Sequence, residues 1–157
     1  MQKISTCLWF DGQAEEAMNF YVSIFKNAKK TDVLCWGDVG PGPKGSVLTC
    51  SFELDGREFM ALNGGPQFKF TPAISLGVNC ETQAEVDHYW DKLLDGGKPM
   101  ECGWLTDKFG ISWQVTPTML PRLLMDKDTP KANRVMAAMM KMVKLDIATL
   151  QQAADAR

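Results

Sequence analysis

The 157-residue chain has little histidine and no closely paired cysteines. His88 is its one histidine, and its five cysteines are widely spaced without a C-x-x-C pair. An odd number of cysteines at such spacings is not typical of a disulfide framework or a zinc site. We therefore expect free thiols that pack as small hydrophobic side chains, in a reducing and cytoplasmic compartment.

Excess charge of one sign and long apolar runs are also missing. The chain has 17 Lys and Arg against 19 Asp and Glu, a formal net charge of −2. A nucleic-acid partner requires a basic surface that neutralises phosphates, which this balance does not favour. No apolar stretch approaches the roughly 18 residues that span a bilayer, and no basic segment followed by an apolar run opens the chain. We expect a soluble protein with neither a nucleic-acid nor a membrane partner.

Residues 1–66 show the patterns of one strand, one helix and three further strands. These five elements are predicted in chain order at 4–10, 13–25, 31–36, 46–54 and 58–63. Asp55-Gly56 lies between the last two strands, and this dipeptide is a strong hairpin signal because it tolerates the positive φ angles of a two-residue turn. The glycine- and proline-rich residues 37–45 are predicted to be a loop.

Residues 67–118 repeat the pattern. A strand, a helix and short strands are predicted at 73–79, 82–94, 99–106 and 112–117. Thr82 and Glu85 form a capping box at the start of the helix. A strand–helix–strand–strand–strand unit that occurs twice indicates an internal repeat, not a parallel βαβ fold.

The last residues differ from both halves. They are predicted to be helical and are rich in methionine, with Met125, Met136, Met139, Met140 and Met142. They pack on the sheet or form a dimer contact, or they present a methionine-lined ligand surface. The chain is therefore predicted to be a single α+β domain over 1–157, with βαβββ modules at 1–66 and 67–118 and a helical C-terminal tail at 119–157.

Local sequence strings carry a resemblance to a known family. They are residues 8–12, 20–21, 45–48, 59–65, 103–110 and 112–115. The chain resembles the PhnB-like family, also labelled 3-demethylubiquinone-9 3-methyltransferase-like, of the glyoxalase or vicinal oxygen chelate superfamily. The resemblance implies two modules that form a curled sheet with a cleft, as in glyoxalase, bleomycin resistance and dioxygenase proteins. It also implies a homodimer.

The superfamily's metal ligands correspond here to residues that bind metal poorly. Position by position, the resemblance places them at Thr6, Ala61, Ala73 and Gln114. A divalent transition metal requires imidazole, thiolate or carboxylate ligands, which these side chains do not supply. His88 lies in the middle of a predicted helix, where a packing or solvated role is expected. We predict no metal and no cofactor.

The superfamily's curled sheets, combined with side-chain alternation along each strand, predict which residues line the cleft. Met60, Leu62, Trp113 and Val115 are expected to face the core, as are Ile74, Leu76 and Val78. Aligning Phe20-Tyr21 with the superfamily places Thr6 on the cleft side. The predicted cleft set is Thr6, Leu8, Phe10, Phe59, Ala61, Asn63, Ser75, Cys102, Trp104, Asp107, Ser112 and Gln114. Ala73, Gly77, Asn79 and Thr116 share these strand faces.

Several of these residues have two interpretations. Asp107 stabilises a turn or acts in chemistry, Cys102 is a structural thiol or a reactive one, and Trp104 is core or pocket wall. The glycines at 64 and 65 are a hinge or a backbone cradle for an oxyanion or phosphate.

The strand residues of this set carry no charge, which suits a small, mostly neutral ligand held by a few hydrogen bonds. We therefore expect metal-independent binding of such a molecule. One alternative is an enzyme, a transferase or isomerase, as the family label suggests. The other is a dimeric regulatory or interaction module.

Overall fold

The computed structural model describes residues 1–157. Contacts between backbone positions divide the chain into two compact units, Met1–Phe70 and Thr71–Arg157. The predicted module boundary, between residues 66 and 67, lies four residues before this division.

The first unit is a four-stranded mixed sheet with one helix. Its elements are β1 (Thr6–Phe10), α1 (Ala14–Ile24), β2 (Ala28–Cys35), β3 (Val47–Leu54) and β4 (Arg57–Asn63). The strand order is β1-β4-β3-β2. The strand β1 runs parallel to β4, and the remaining pairs are antiparallel. This is the βαβββ arrangement predicted from the sequence.

The core of the first unit lies between α1 and one face of this sheet. The buried stripe of α1 is Ala14, Ala17, Met18, Tyr21 and Ile24. The Tyr21 ring packs on Phe52 of β3 at a centroid distance of 6.3 Å, and Phe52 packs on Phe59 of β4 at 5.5 Å. Since side chains alternate along a strand, Phe52 and Phe59 identify the sheet face that contacts the helix.

The second unit repeats this arrangement and adds three helices. Its first five elements are β5 (Ser75–Cys80), α2 (Gln83–Leu94), β6 (Lys98–Pro99), β7 (Trp104–Thr106) and β8 (Ser112–Pro117). The strand order is β5-β8-β7-β6, with β5 parallel to β8. Thr82 caps α2 by accepting the Glu85 backbone N–H at 3.2 Å, as the capping box predicts. Val86, Trp90 and Leu93 of α2 are buried.

The tail forms α3 (Met119–Leu124), α4 (Thr129–Met139) and α5 (Ile147–Asp155). These helices share a small core of their own, made of Leu120, Val135, Leu145, Leu150 and Ala154. Asp128 and Asp146 cap α4 and α5 by accepting backbone N–H groups.

The tail docks on the rest of the second unit through the segment before α5. Gln83 of α2 donates to the Leu145 carbonyl at 3.2 Å and accepts the Ile147 N–H at 2.8 Å. The Cys102 N–H donates to the Met142 carbonyl at 2.9 Å. The tail is therefore a packed part of its unit, while Met125 and Met140 remain exposed.

The α+β fold class predicted from the sequence is confirmed by two mixed sheets, each accompanied by helices, with further helices at the C terminus. None of the helices combines the length and the apolar character that crossing a bilayer requires.

Candidate functional site

The second sheet has one apolar and one polar face. Val78, Cys80, Leu105, Trp113 and Val115 are buried on the side on which α2 packs. The opposite side carries Ser75, Gly77, Asn79, Trp104, Thr106, Ser112, Gln114 and Thr116, which we call the polar face. The predicted alternation along β8 is confirmed, since Trp113 and Val115 are buried in the core. The prediction that Ile74 faces the core is wrong, because Ile74 precedes β5 and is 80% exposed.

A side-chain hydrogen bond joins β5 and β8 on the polar face. Gln114 Nε2 donates to Ser75 Oγ at 2.8 Å. Gln114 lies opposite Gly77, and Ser75 lies opposite Ser112. Because Ser75 accepts this bond, its own hydroxyl proton can be donated elsewhere, and Gln114 Oε1 can accept. The pair therefore presents one donor and one acceptor side by side.

Ser112 is the unusual member of the polar face. It is 1% exposed, and its Oγ has no hydrogen-bond partner. A buried polar atom without a partner costs about 1–3 kcal/mol, and such atoms are rare in native proteins. An orphan hydroxyl beside the Ser75–Gln114 pair is a feature that a bound polar group would satisfy.

Charge is nearly absent from this surface. Lys98 of β6 lies opposite Thr106 and is exposed at the outer strand of the sheet. The residues of the polar face itself carry no acidic or basic side chain. Trp104 lies opposite Gln114, so its indole stands next to the Gln114 side chain. The face therefore offers neutral hydrogen-bonding groups with one aromatic neighbour.

Asp107 is buried, and its carboxylate binds three donors. Its Oδ1 accepts the Phe109 and Ile111 backbone N–H groups at 2.9 and 3.1 Å, and its Oδ2 accepts Trp113 Nε1 at 2.8 Å. Trp113 belongs to the core side of the sheet. These bonds agree with the turn-stabilising interpretation of Asp107 and place its carboxylate away from the polar face.

Cys102 lies in the turn before β7. It has a positive φ of 58°, and its N–H donates to the Met142 carbonyl. The adjacent Gly103 also has a positive φ, and a Cβ there would lie 2.8 Å from Leu145 Cδ1. The turn is therefore shaped by docking of the tail.

The faces predicted for β1 and β4 are wrong. Leu8, Phe10 and Ala61 are buried on the side of the sheet on which α1 packs. Strand register places them on the same face as Phe52 and Phe59. The predicted core residues Met60 and Leu62 lie on the opposite side. Thr6, Phe59 and Asn63 share the α1 side by register. Because strand side chains have a period of two, a one-residue error moves a whole strand's set to the other face.

Asn63 has a structural role that the sequence alone did not indicate. Its Oδ1 accepts the Ala14 N–H at 2.9 Å, and its Nδ2 donates to the Val47 carbonyl at 3.0 Å. Gln13, at the N-cap position of α1, makes no side-chain cap. Asn63 therefore satisfies a free N–H at the start of α1 from 49 residues away.

The glycines after β4 accommodate a tryptophan. The Gly64 N–H donates to the Phe10 carbonyl at 3.0 Å, and a Cβ on Gly64 would lie 2.3 Å from the Trp9 ring. Trp9 Nε1 donates to the Gly65 carbonyl at 2.9 Å, and Phe68 packs edge-on against Trp9. Since the Gly64 N–H is already bonded, the oxyanion-cradle interpretation loses one of its donors.

The four positions that correspond to the superfamily's metal ligands do not fit a divalent metal. Ala61 is completely buried, Ala73 lies outside β5, and the Gln114 amide is bonded to Ser75. Thr6 offers a neutral hydroxyl. The chain contains no group of three His, Cys, Asp or Glu side chains close enough to hold an ion. His88, in α2, lies edge-on against Tyr89 at 4.9 Å.

Comparisons with known proteins agree with this architecture. Residues 2–116 match the family model described as 3-demethylubiquinone-9 3-methyltransferase. The PhnB protein of Bacillus cereus has 42% sequence identity and a TM-score of 0.69, over 74% of this chain and 100% of that one. The protein PA1353 of Pseudomonas aeruginosa has 20% identity and a TM-score of 0.63, over 74% and 98% of the two chains.

More distant structures share the fold alone. The fosfomycin resistance protein FosX of Mesorhizobium loti has 14% identity and a TM-score of 0.54, over 78% of this chain and 98% of that one. No curated protein sequence matches the chain. The family match ends at residue 116, so the helices of the tail lie outside it.

Proposed function

Because the chain belongs to the PhnB-like family described as 3-demethylubiquinone-9 3-methyltransferase, with a fold of the glyoxalase and FosX type, we propose that it binds a small, uncharged molecule on the polar face without a metal ion. The buried, unpartnered Ser112 hydroxyl is the observation that carries this proposal. The bonded Ser75–Gln114 pair supplies a donor and an acceptor beside it. A neutral ligand that displaces the side chains covering the Ser112 hydroxyl can satisfy all three groups without burying a charge.

Methyl transfer, which the family description names, has no supporting residue arrangement on this face. A nucleotide-type methyl donor usually binds at a glycine-rich turn between a strand and a helix. The glycines at 40 and 42 pack against the Trp36 ring, and Gly64 packs against Trp9. The polar face also offers no group that shuttles a proton near neutral pH. We therefore favour binding over catalysis.

As the resemblance implies, we also propose a homodimer. The proposed ligand contacts on the polar face do not require a second copy of the chain, so binding and dimerisation are tested separately.

The variant Ser112→Ala tests the proposed binding. Removing an orphan hydroxyl should stabilise the ligand-free protein by about 1–3 kcal/mol, because the desolvation cost disappears. The same variant should lose thermal stabilisation by uncharged fragments, which for wild type amounts to about 2.7 kcal/mol at one hundred times Kd. Urea unfolding measures the first effect, and a thermal-shift screen of uncharged fragments and their ionised counterparts measures the second.

Ser5→Ala is the matched control, because Ser5 is exposed and makes no side-chain hydrogen bond. It should leave both measurements unchanged. The proposal is wrong if Ser112→Ala destabilises the free protein and leaves fragment binding intact, or if only ionised fragments stabilise wild type.

A further inference from the structure

Gly77 is the only glycine inside a strand or helix of this protein, in the middle of β5. Glycine in a strand interior is unfavourable, since it loses more chain entropy than other residues and has no side chain to pack. Its φ lies outside the left-handed region, so the backbone does not require glycine. A Cβ at Gly77 would meet nothing within 4 Å, so packing does not require glycine either.

The other glycines have visible structural reasons, with one exception. Eight have positive φ angles, and Gly42, Gly64 and Gly97 lie against neighbours that a Cβ would strike. Gly37 alone shares the properties of Gly77, and it lies in the loop after β2, where glycine carries no strand penalty. Nothing within this chain explains Gly77.

Neutral polar side chains surround the bare backbone at Gly77. Ser75 and Asn79 flank it on the same face of β5, and Gln114 lies opposite on β8. A glycine in a strand interior often marks a bulge, a bend, or the close approach of a ligand or another backbone. The register of β5 with β8 is continuous through Gly77, so Gly77 marks no bulge. The Ser75 hydroxyl and the Gln114 carbonyl oxygen then lie beside whatever rests on this position.

We infer that Gly77 is the contact point at which the ligand rests on β5, and that the ligand presents a hydrogen-bond donor next to an acceptor, as a carboxamide does. The inference rests on the proposed binding function and adds the chemical class of the ligand. The ligand's carbonyl accepts from the Ser75 hydroxyl, and its N–H or O–H donates to Gln114 Oε1. Because Gly77 has no side chain, the volume next to its backbone is free for the ligand. The size of residue 77 therefore determines the size of the ligand that fits.

Three probes of similar size and three glycine variants test the inference. The probes are propionamide, propionate and propylammonium, at millimolar concentration. The variants are Gly77→Ala, Gly77→Val and the matched control Gly37→Ala. The full-length protein is studied by nuclear magnetic resonance of the Gln114 and Asn79 side-chain amides, by thermal unfolding and by light scattering.

We expect propionamide to shift the Gln114 and Asn79 amide signals of wild type and Gly37→Ala, and the two ionised probes not to. In Gly77→Val the propionamide shifts should disappear. The ligand-free Gly77→Ala protein should melt about 1–4 °C higher than wild type, because an unfavourable strand residue is removed. A glycine that the fold requires would lower the melting temperature when it is replaced. Higher stability in Gly77→Ala together with lost binding in Gly77→Val therefore indicates a role in binding.

Contrary outcomes separate this inference from the proposed function. Unchanged propionamide shifts in Gly77→Val, or a lower melting temperature in Gly77→Ala, would overturn the role of Gly77 while fragment binding that depends on Ser112 still stands. A dimer that becomes a monomer in Gly77→Val would assign the glycine to a contact between two copies. If propionate or propylammonium shifts the amides and propionamide does not, both the inference and the proposed function fail.

Discussion

Replacing Asp107 tests whether this buried carboxylate holds the turn between β7 and β8. Two of its three donors, the Ile111 N–H and Trp113 Nε1, belong to residues that are at most 4% exposed. Each buried donor that loses its acceptor costs about 1–3 kcal/mol, so Asp107→Ala should lower the free energy of unfolding by about 2–6 kcal/mol. This is a large share of the roughly 5–15 kcal/mol typical of native domains.

The conservative variant Asp107→Asn separates the two oxygens. An amide retains one acceptor for the backbone N–H groups but turns an NH₂ group toward the Trp113 indole N–H. It should therefore cost about 1–3 kcal/mol, less than alanine does. Asp11→Asn makes the same change at an exposed turn after β1 and should stay within about 0.5 kcal/mol of wild type.

Urea unfolding monitored by far-ultraviolet circular dichroism gives these values, provided that the slope with denaturant is unchanged. A loss below about 1 kcal/mol in Asp107→Ala would refute the turn-stabilising role. Equal stability of Asp107→Asn and wild type would show that the indole bond contributes nothing.

Two further predictions concern the tail and a buried thiol. Leu145→Ala should destabilise the protein by about 2–5 kcal/mol in urea unfolding, because Leu145 is fully buried in the tail core. An unchanged unfolding midpoint would contradict this packing. The control is Val143→Ala, at a position that is 48% exposed. Burial, and then the Glu85 charge, raise the pKa of Cys80 from 9.0 to about 12. The neutral thiol therefore stabilises the fold below pH 9, and this contribution is lost as the pH rises toward 12. Alkaline unfolding should be shallower in Cys80→Ala, and identical pH profiles for the two proteins would contradict the assignment.

The sequence predicted the second sheet more accurately than the first because only one face of β8 is apolar. Ser112, Gln114 and Thr116 alternate with Trp113 and Val115, so periodicity alone assigns both faces. In β1 the run TCLWF is apolar on both faces, and no alternation distinguishes them. The family alignment then decided the face, and an error of one residue inverted it.

The parts of the site that carry the argument depend on contacts between distant residues. Ser75 and Gln114 are 39 residues apart, and their hydrogen bond exists because β5 lies parallel to β8 in one register. Whether the Ser112 hydroxyl has a partner depends on everything packed around it. Sequence periodicity places such residues on a face, but it does not count their hydrogen bonds.

Correcting the first sheet changes the donors that have to be considered for metal binding. Cys7 and Met60 are register partners on the side away from α1. This is the side on which the resemblance places Thr6 and Ala61, as positions that correspond to the superfamily's metal ligands. Thiolate and thioether ligands are soft, and they select ions such as Cu(I) over the hard ions that carboxylates and waters hold. One thiol beside one thioether is a smaller donor set than a closed or catalytic divalent site has.

The two glutamates of the same face are engaged by other groups. Glu53 lies 3.4 Å from Lys29 Nζ, and Glu58 accepts the backbone N–H of Gln2 at 3.0 Å. Asp32 also lies on this face, across Ser51 from Met60, but no group of three His, Cys, Asp or Glu side chains lies close enough to hold an ion. The corrected faces of the first sheet therefore also favour binding without a metal. The neutral hydroxyls and amides that suit an uncharged ligand lie on the second sheet, and the first sheet adds no set of ligands that fits a divalent metal.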